Sequence, residues 1–308
     1  MDTSLSDKLK QLLKQLNFII VGKEQQVLHS VICLLTGGHL LLEDIPGVGK
    51  TTLAHALARS LGLDFSRVQF TADLMPTDLT GVSIYDRHSE KFTFHPGPIF
   101  SQVLLADEIN RASPRMQSAL LEAMEERQVS VEGETRALPA PFFVIATQNP
   151  QEQLGTYPLP ESQLDRFLMR ISLGYPSRSA ELSLLTGANR RDLLETLPVI
   201  LNTEDYHQIQ HAIDAVETSP ALLEYLLNLT EATRSGRWFL QGLSPRAVLA
   251  ILRASKTKAL LSGRNYVVPE DIQAIFPECT IHRLPPVAGT SHGVLEQVKK
   301  MMETVPVN

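Results

Sequence analysis

The chain has 308 residues and a formal net charge of -6, from 28 lysines and arginines against 34 aspartates and glutamates. This length suffices for two domains with buried cores. The acidic balance excludes a broad positive field for nucleic-acid phosphates and leaves room only for a local basic patch. The two cysteines, Cys33 and Cys279, lie far apart in sequence, which excludes a clustered metal motif and indicates a reducing compartment.

The N-terminal segment predicts an amphipathic helix and not a signal peptide. Its leucines recur at helical spacing, and no uninterrupted apolar stretch reaches signal-peptide length. The most apolar long stretch, residues 31–42, is broken by the sequence TGGH, so no membrane-spanning segment is predicted. We therefore expect a cytoplasmic protein with no membrane insertion.

Residues 40–62, LLLEDIPGVGKTTLAHALARSLG, predict a strand, a tight loop and a helix. In this arrangement the backbone N–H groups of the loop and the helix N-terminus surround a phosphate, and glycines let the backbone approach it. Lys50 is expected to bind the β- and γ-phosphates of a nucleotide, and Thr51 to bind Mg²⁺ through its hydroxyl. The residues predicted to contact nucleotide here are Pro46, Gly47, Val48, Gly49, Lys50, Thr51 and Thr52.

One position departs from the general phosphate-loop pattern G-x-x-x-x-G-K-[ST]. Asp44 stands where the pattern has its first glycine. If the loop requires a positive φ there, aspartate tolerates it better than most residues. A strand–turn–helix that binds no nucleotide is the alternative, but residues 47–51, which would lie nearest the phosphates, fit the pattern.

Two further apolar strands are predicted to end in polar residues beside this loop. Residues 103–106 lead into Asp107 and Glu108, and adjacent carboxylates after a buried strand are costly unless they serve an ion or a reaction. Asp107 is expected to bind Mg²⁺ and Glu108 to polarise the attacking water, whereas a solvated turn is the alternative. The strand in PFFVIATQNP ends near Asn149, whose amide would orient that water or contact the γ-phosphate.

Two arginines complete the predicted site. Arg166 lies near the end of a short predicted helix, and Arg246 lies in the first turn of a longer one. An arginine at a helix start opposes the helix dipole, so helix stability alone would not select it. A fixed cation at the γ-phosphate would stabilise the charge of the transition state. The alternative for each arginine is a surface ion pair.

Helical patterns replace strand patterns after about residue 175. Three later segments are amphipathic, and each begins with a Ser or Thr cap signal. These segments are residues 203–216, 219–235 and 244–263. Pro176 and nearby glycines suit a linker. We predict a nucleotide-binding α/β domain with an N-terminal helix at residues 1–175 and a helical lid domain at residues 176–308.

Seven stretches follow one another in the order of a known family, and the match runs over nearly the whole chain, from about residue 15 to residue 280. The most specific is GPIFSQVLLADEINRASPRMQSALLEAMEE, residues 97–126. The others are IIVGKEQQV (19–27), PGVGKT (46–51), VQFTADLMPTDLTG (68–81), FFVIATQNP (142–150), YPLPESQLDRF (157–167) and LSPRA (243–247). On these stretches the chain resembles the MoxR family of AAA+ ATPases.

The resemblance implies an α/β fold: an AAA+ P-loop NTPase core, with a parallel sheet in three αβα layers and hairpin insertions, followed by a small all-α lid. It implies an ATPase that uses ATP and Mg²⁺ and assembles as a homo-oligomer, with a hexameric ring expected. The usual partners in this family carry a von Willebrand factor A domain with a metal-dependent adhesion site. The implied role is therefore a chaperone-like remodelling or maturation of such proteins.

The resemblance also assigns roles to single residues. It makes Asn149 the sensor 1 residue and Arg166 the arginine finger that acts on a neighbouring subunit's ATP. It makes Arg246 the sensor 2 arginine, which the lid brings to the nucleotide, and Ile20 and Val21 the segment near adenine. The Walker A and Walker B residues that it implies are Lys50, Thr51, Asp107 and Glu108.

Two hairpins are predicted as insertions in the core. Residues 82–97 alternate apolar positions around a polar turn at 87–90, and residues 127–141 have a turn near Gly133. The family resembles the magnesium-chelatase ATPase subunits in carrying extra hairpins, which in a ring would face the pore or the partner. Decoration of the sheet edge is the alternative.

Two other functions stay open at this point. The first is a motor or loader on nucleic acid, which the acidic balance and the absence of an appended DNA-binding motif disfavour. The second is a nucleotide-binding switch without hydrolysis, which the Asp107–Glu108 pair disfavours.

Overall fold

The computed structural model describes residues 3–88, 90–150, 155–186, 190–287 and 293–307. Within these ranges the strands are β1 His39–Glu43, β2 Phe65–Gln69, β3 Gly81–Asp86, β4 Lys91–Pro96, β5 Val103–Asp107, β6 Gln128–Val131, β7 Glu134–Ala137, β8 Phe143–Gln148 and β9 Phe167–Ile171. Five of them form one sheet in the order β2-β5-β8-β1-β9, and all its neighbouring strands are parallel. The ends of these strands therefore define a carboxyl edge and an amino edge of the sheet.

Helices flank the sheet and continue after it. They are α1 Thr3–Ile19, α2 Glu24–Leu35, α3 Lys50–Ser60, α4 Pro76–Thr80, α5 Pro114–Glu126, α6 Glu161–Leu164, α7 Arg178–Thr186, α8 Arg190–Thr196, α9 Thr203–Asp214, α10 Pro220–Arg234, α11 Pro245–Leu261, α12 Pro269–Thr280 and α13 Val294–Glu303. Among the described residues, no helix combines the length and the apolar character that a bilayer span requires.

The sheet lies between two helical layers. Because alternate residues of a strand face opposite sides, Leu40 and Leu42 of β1 lie in one apolar cluster and Leu41 lies in the other. The first cluster includes α1, α2, α3 and most of the later helices, and the second includes α5. The αβα core implied by the resemblance is confirmed.

The two predicted hairpins are both present. Strand β3 pairs with β4, and β6 pairs with β7, each in antiparallel register. Gly133 has a φ of 82° in the second turn; Ser89, in the first turn, lies outside the described residues. The hairpins contact each other, since the Arg136 guanidinium lies 3.9 Å from the centre of the Phe94 ring. They therefore form one unit beside the core.

The later helices begin with caps, and one of them differs from the prediction. Ser219 and Ser244 accept hydrogen bonds from backbone N–H groups at the starts of α10 and α11, as predicted. The Thr cap predicted for α9 is wrong. The side chain of Asn202 accepts from the backbone N–H of Asp205 at 2.8 Å, and Thr203 is already the first helical residue. Asparagine is as good an N-cap as serine, so the helix starts one residue earlier.

The C-terminal helices dock on the amino edge of the sheet. Arg283, which follows α12, donates to the carboxylate of Asp165 at 2.7 Å and to the carbonyl of Phe167 at 2.7 Å. The Nε2 atom of His282 lies 2.9 Å from the same carbonyl. These contacts fix one face of the helical part to the start of β9. The domain boundary at 175/176 falls between β9 and α7 and stays a prediction.

Candidate functional site

A cavity of about 360 Å³ opens at the carboxyl edge of the sheet. Its lining residues are Pro46, Gly47, Gly49, Lys50, Thr51, Thr52, Arg67, Gln69, Asp107, Glu108, Thr147 and Asn149. The phosphate-loop residues, the carboxylate pair and Asn149 thus meet in one place. Three residues predicted to contact nucleotide are not in this lining: Val48 packs against the core, Ile20 is buried, and Val21 is half-buried.

The loop between β1 and α3 is shaped for an anion. Gly47 and Gly49 have φ angles of 85° and 98°, a region that L side chains rarely adopt. An added Cβ at either position would meet nothing within 4 Å, so the backbone angle and not crowding requires glycine. Helix α3 begins at Lys50, and its first residues line the cavity. Its free N–H groups therefore suit a phosphate.

The ammonium group of Lys50 binds backbone carbonyls of its own loop. Its Nζ donates to the carbonyl of Asp44 at 2.5 Å and to that of Ile45 at 3.1 Å. Burial lowers the pKa of Lys50, and the nearby carboxylates of Asp44, Asp107 and Glu108 oppose this shift. A phosphate at this place would supply the negative charge that the carbonyls lack.

Asp44, the departure from the general pattern, ties the loop to the chain after β9. Its carboxylate accepts from the hydroxyl of Ser172 at 3.0 Å and from the backbone N–H of Gly174 at 2.5 Å. It also accepts from the N–H of Ile45 at 2.9 Å. Asp44 does not have a positive φ, so the conformational reason suggested by the sequence does not apply. A buried carboxylate with three donors explains this residue better than a turn requirement.

Both carboxylate oxygens of Asp107 have a partner in the cavity. Oδ1 accepts from the hydroxyl of Thr147 at 2.6 Å. Oδ2 accepts from Nη2 and Nε of Arg67, at 2.6 and 3.2 Å. Asp107 is only 8% exposed, so its charge requires such partners.

Glu108 has an unusual backbone conformation. Its φ and ψ angles are 57° and 50°, which is uncommon for a residue with a side chain and costs about 1 kcal/mol or more. The hydroxyl of Thr147 accepts from the N–H of Glu108 at 2.9 Å. The carboxylate accepts from Nε2 of Gln69 and pairs with Nε of Arg111, each at 2.9 Å. Strain of this kind is typical of functional sites.

The polar groups that line the cavity suit a nucleotide bound together with Mg²⁺. The hydroxyl of Thr51 and the carboxylate of Asp107 are hard oxygen ligands, which Mg²⁺ prefers. The loop amides and Lys50 suit the phosphates. Asn149 is 6% exposed and brings a buried polar side chain to the same cavity.

The two predicted arginines lie elsewhere, at the amino edge. Arg166 directly precedes β9, whose first residue pairs with His39, the first residue of β1, whereas the phosphate loop follows the end of β1. Arg166 is therefore more than about 10 Å from the loop along the strand. Arg246 binds Oε1 of Glu125 at 2.8 Å, and Arg166 binds Oε2 of Glu125 at 2.9 Å. The chain thus does not bring Arg246 to its own cavity, in contrast to the expectation from sequence.

Several residues of these clusters were not assigned a role from sequence. Arg67 and Gln69 alternate along β2 and share one face, which was the available signal. Arg111 lies three residues after Glu108, and this spacing was its available signal, whereas Glu125 carried no local signal because its partners come from other elements. The two arginine contacts lower the pKa of Glu125, mainly through hydrogen bonds from Arg166 and Arg246.

Comparison with known proteins identifies family models, relatives and a solved structure to which this chain is similar. Residues 39–169 match the family model described as "ATPase family associated with various cellular activities (AAA)", and residues 231–301 match "AAA lid domain". Protein YeaC of Bacillus subtilis is 47% identical over 276 residues, which cover 90% of this chain and 86% of YeaC. Chaperone MoxR1 of Mycobacterium tuberculosis is 42% identical, over 90% of this chain and 75% of that protein. The crystal structure of a candidate ATPase from Cytophaga hutchinsonii superposes with a TM-score of 0.89 at 36% identity, covering 99% of this chain and 96% of that one.

Proposed function

Because the chain belongs to the MoxR family of AAA+ ATPases, we propose that it hydrolyses ATP to ADP and phosphate and drives the remodelling or maturation of partner proteins. The single observation that carries this proposal is the cavity at the carboxyl edge. It joins the phosphate loop, the carboxylate pair and Asn149 from three separate strands. An MoxR-family relative is named a chaperone, which supports the proposed role in maturation.

We assign the chemistry to individual residues of the cavity. Thr51 and Asp107 would hold Mg²⁺, which would neutralise phosphate charge when bound. Lys50 would bind the β- and γ-phosphates, and Asn149 would orient the attacking water. Glu108 would polarise that water as general base. In this structure Gln69 and Arg111 both bind Oε2 of this carboxylate, so Oε1 would be the oxygen that polarises the water.

We propose that the ATP site is shared between subunits of a homo-oligomeric ring, with six subunits expected. Arg166 and Arg246 lie at the amino edge, away from their own cavity, and both reach a single half-exposed carboxylate, Glu125. A neighbouring subunit that presents its carboxyl edge here would offer the phosphate that both arginines suit. Arg166 would then be the arginine finger and Arg246 the sensor 2 residue, both acting in trans.

We propose a protein with a von Willebrand factor A domain as the client, and the cytoplasm as the place of action. The family resemblance supports the client, and nothing in the cavity encodes it. Capture with the variant Glu108→Gln tests the proposal, since this change keeps ATP and Mg²⁺ binding but stops activation of the water. We expect a von Willebrand A domain protein to be retained with ATP and Mg²⁺ and lost with ADP.

The control for this capture is Lys50→Ala, which removes phosphate binding and should retain nothing. The same protein retained by Lys50→Ala, or with ADP, would contradict a client bound in an ATP-dependent way. Recovery of DNA or replication proteins with ATP would instead establish the nucleic-acid motor. ATP turnover by the wild type that equals turnover by Lys50→Ala would overturn the ATPase itself.

A further inference from the structure

We propose that Arg67 is a further residue of this ATP site, which holds Asp107 in the absence of Mg²⁺ and turns to the terminal phosphate when Asp107 binds the metal. The inference rests on the proposed ATP binding but not on hydrolysis, ring assembly or the client. Arg67, on strand β2, would act on the nucleotide of its own subunit, whereas Arg166 and Arg246 are proposed to act on the nucleotide of a neighbour.

The first support is the contact itself. Nη2 and Nε of Arg67 both approach one oxygen of Asp107, Oδ2, at 2.6 and 3.2 Å. The other oxygen accepts the Thr147 hydroxyl, which fixes the carboxylate in the cavity. Oδ2 is therefore the oxygen left for a cation, and Arg67 binds it. A divalent ion with oxygen ligands at about 2.1 Å and a guanidinium compete for the same negative charge.

The second support is the exposure of the two side chains. The Asp107 side chain is 11% exposed, whereas the Arg67 side chain is 49% exposed and lines the cavity. Half-exposure leaves the guanidinium free to change partners at low cost, because its apolar stem need not move out of the core.

The third support is the balance of charge. The charged residues that line the cavity are Lys50, Arg67, Asp107 and Glu108, two of each sign. With Asp107 bound to a metal, Arg67 would keep only its 3.4 Å contact with the amide oxygen of Gln69, beside a phosphate chain that would still be negative. Guanidinium binds phosphate oxygens with two parallel hydrogen bonds, so the γ-phosphate held by Lys50 in this cavity is its nearest suitable partner.

The test compares how much more tightly the protein binds a non-hydrolysable ATP analogue than ADP, with Mg²⁺ and with EDTA. Equilibrium dialysis of the full chain measures both dissociation constants. In Arg67→Gln, we expect this preference for the triphosphate to fall about tenfold with Mg²⁺, because a charged hydrogen bond to the γ-phosphate is lost. With EDTA we expect no change, because Arg67 of the wild type is then bound to Asp107.

Two results would overturn the exchange. An unchanged preference with Mg²⁺ would show that Arg67 does not face the γ-phosphate. An equal fall in the preference with and without Mg²⁺ would show that binding to Asp107 does not keep Arg67 from the γ-phosphate. Arg67→Lys, which keeps the charge but not the two parallel hydrogen bonds, should retain part of the preference, and thermal melting shows that each variant is folded. Arg115→Gln, at an exposed position of α5, is the matched control and should leave both ratios unchanged. Loss of all nucleotide binding in the wild type would contradict the proposed function instead.

Discussion

The two edges of the sheet carry charged clusters of different composition. At the carboxyl edge, two cations and two carboxylates line the cavity. At the amino edge, Arg166 and Arg246 share the carboxylate of Glu125, so this contact has one positive charge in excess. In the proposed site the carboxyl edge would supply ligands for a nucleotide with its metal, whereas the amino edge would offer a cation to an anion of a neighbouring subunit. The proposed ATP site, divided between two subunits, requires such a difference in charge.

The clusters also differ in how the fold holds them. Neighbouring strands position the residues of the carboxyl edge, and Asp107 there is almost completely buried. The amino-edge cluster joins three elements: the end of α5, the start of β9 and the first turn of α11. Its Arg246 side chain is 55% exposed. A shift of the C-terminal helices would therefore separate Arg246 from Arg166, while the cavity would keep its shape.

The largest effect is expected when the intact cavity and the intact arginine finger are supplied by two different subunits. Lys50→Ala removes ATP binding but keeps Arg166, and Arg166→Ala keeps ATP binding but removes the finger. We expect each variant alone to lose about 1,000-fold in the ATPase rate. In a one-to-one mixture, about a quarter of the interfaces combine an intact cavity with an intact arginine, so activity should return.

The control for this mixture is Lys50→Ala combined with the double variant Lys50→Ala and Arg166→Ala. It has no intact cavity and should stay inactive. Phosphate release measures the rate, and native mass spectrometry of isotope-labelled subunits shows that mixed assemblies form. If mixed assemblies form but the ATPase activity does not return, the cavity and Arg166 must act within one subunit.

Low pH should lower the stability of the folded state through His39, which lies at the amino edge of the sheet. Its Nδ1 accepts from the N–H of Val144 at 2.9 Å, so Nε2 carries the proton and faces the carbonyl of Met124 at 3.2 Å. Burial lowers the pKa of His39 to about 3. The unfolded value is about 6.5, so this contribution to stability is complete above that pH and is lost as the pH falls toward 3.

We expect His39 to contribute a loss of up to about 1.4 kcal/mol in the free energy of unfolding for each pH unit below 6. Urea unfolding at pH 7, 6 and 5 measures this slope. In His39→Gln, whose amide can both donate and accept, the slope should be smaller, while His88→Gln at the exposed hairpin turn should keep the wild-type slope. Equal slopes in all three proteins would show that His39 is protonated without cost.

Much of the fold and of the carboxyl edge could be predicted from sequence, because the signals there are local. Buried strands leave continuous apolar runs, and the phosphate loop needs its glycines and Lys50 within a few residues. Asp107 ends its strand and Asn149 directly follows its own, so parallel pairing alone brings them to one edge. The helix patterns after residue 175 were equally local.

The remaining features depend on partners that are distant in sequence. Asp44 is explained by Ser172 and Gly174, and no local pattern connects these residues. The place of Arg246 depends on how the C-terminal helices dock on the sheet, which periodicity does not determine. The sequence therefore indicated the type of each residue but not that Arg246 lies away from the cavity of its own chain.

The smallest expected effect belongs to Glu125, the carboxylate between the two arginines. Its contacts are partly exposed, so Glu125→Gln should change the free energy of unfolding by less than about 1 kcal/mol. If Glu125 positions both guanidinium groups for a neighbour's phosphate, the ATPase rate should fall about threefold through lost pre-organisation. The affinity for ATP, set at the other edge, should not change.

A double-mutant cycle with Arg246→Ala identifies the cause. If Glu125 acts by holding Arg246, Glu125→Gln should have less effect once Arg246 is absent. Glu126→Gln, at the exposed next position of α5, is the matched control and should leave the rate unchanged. A faster rate in Glu125→Gln would mean that this carboxylate competes with the neighbour's phosphate and restrains the arginines until the phosphate displaces it.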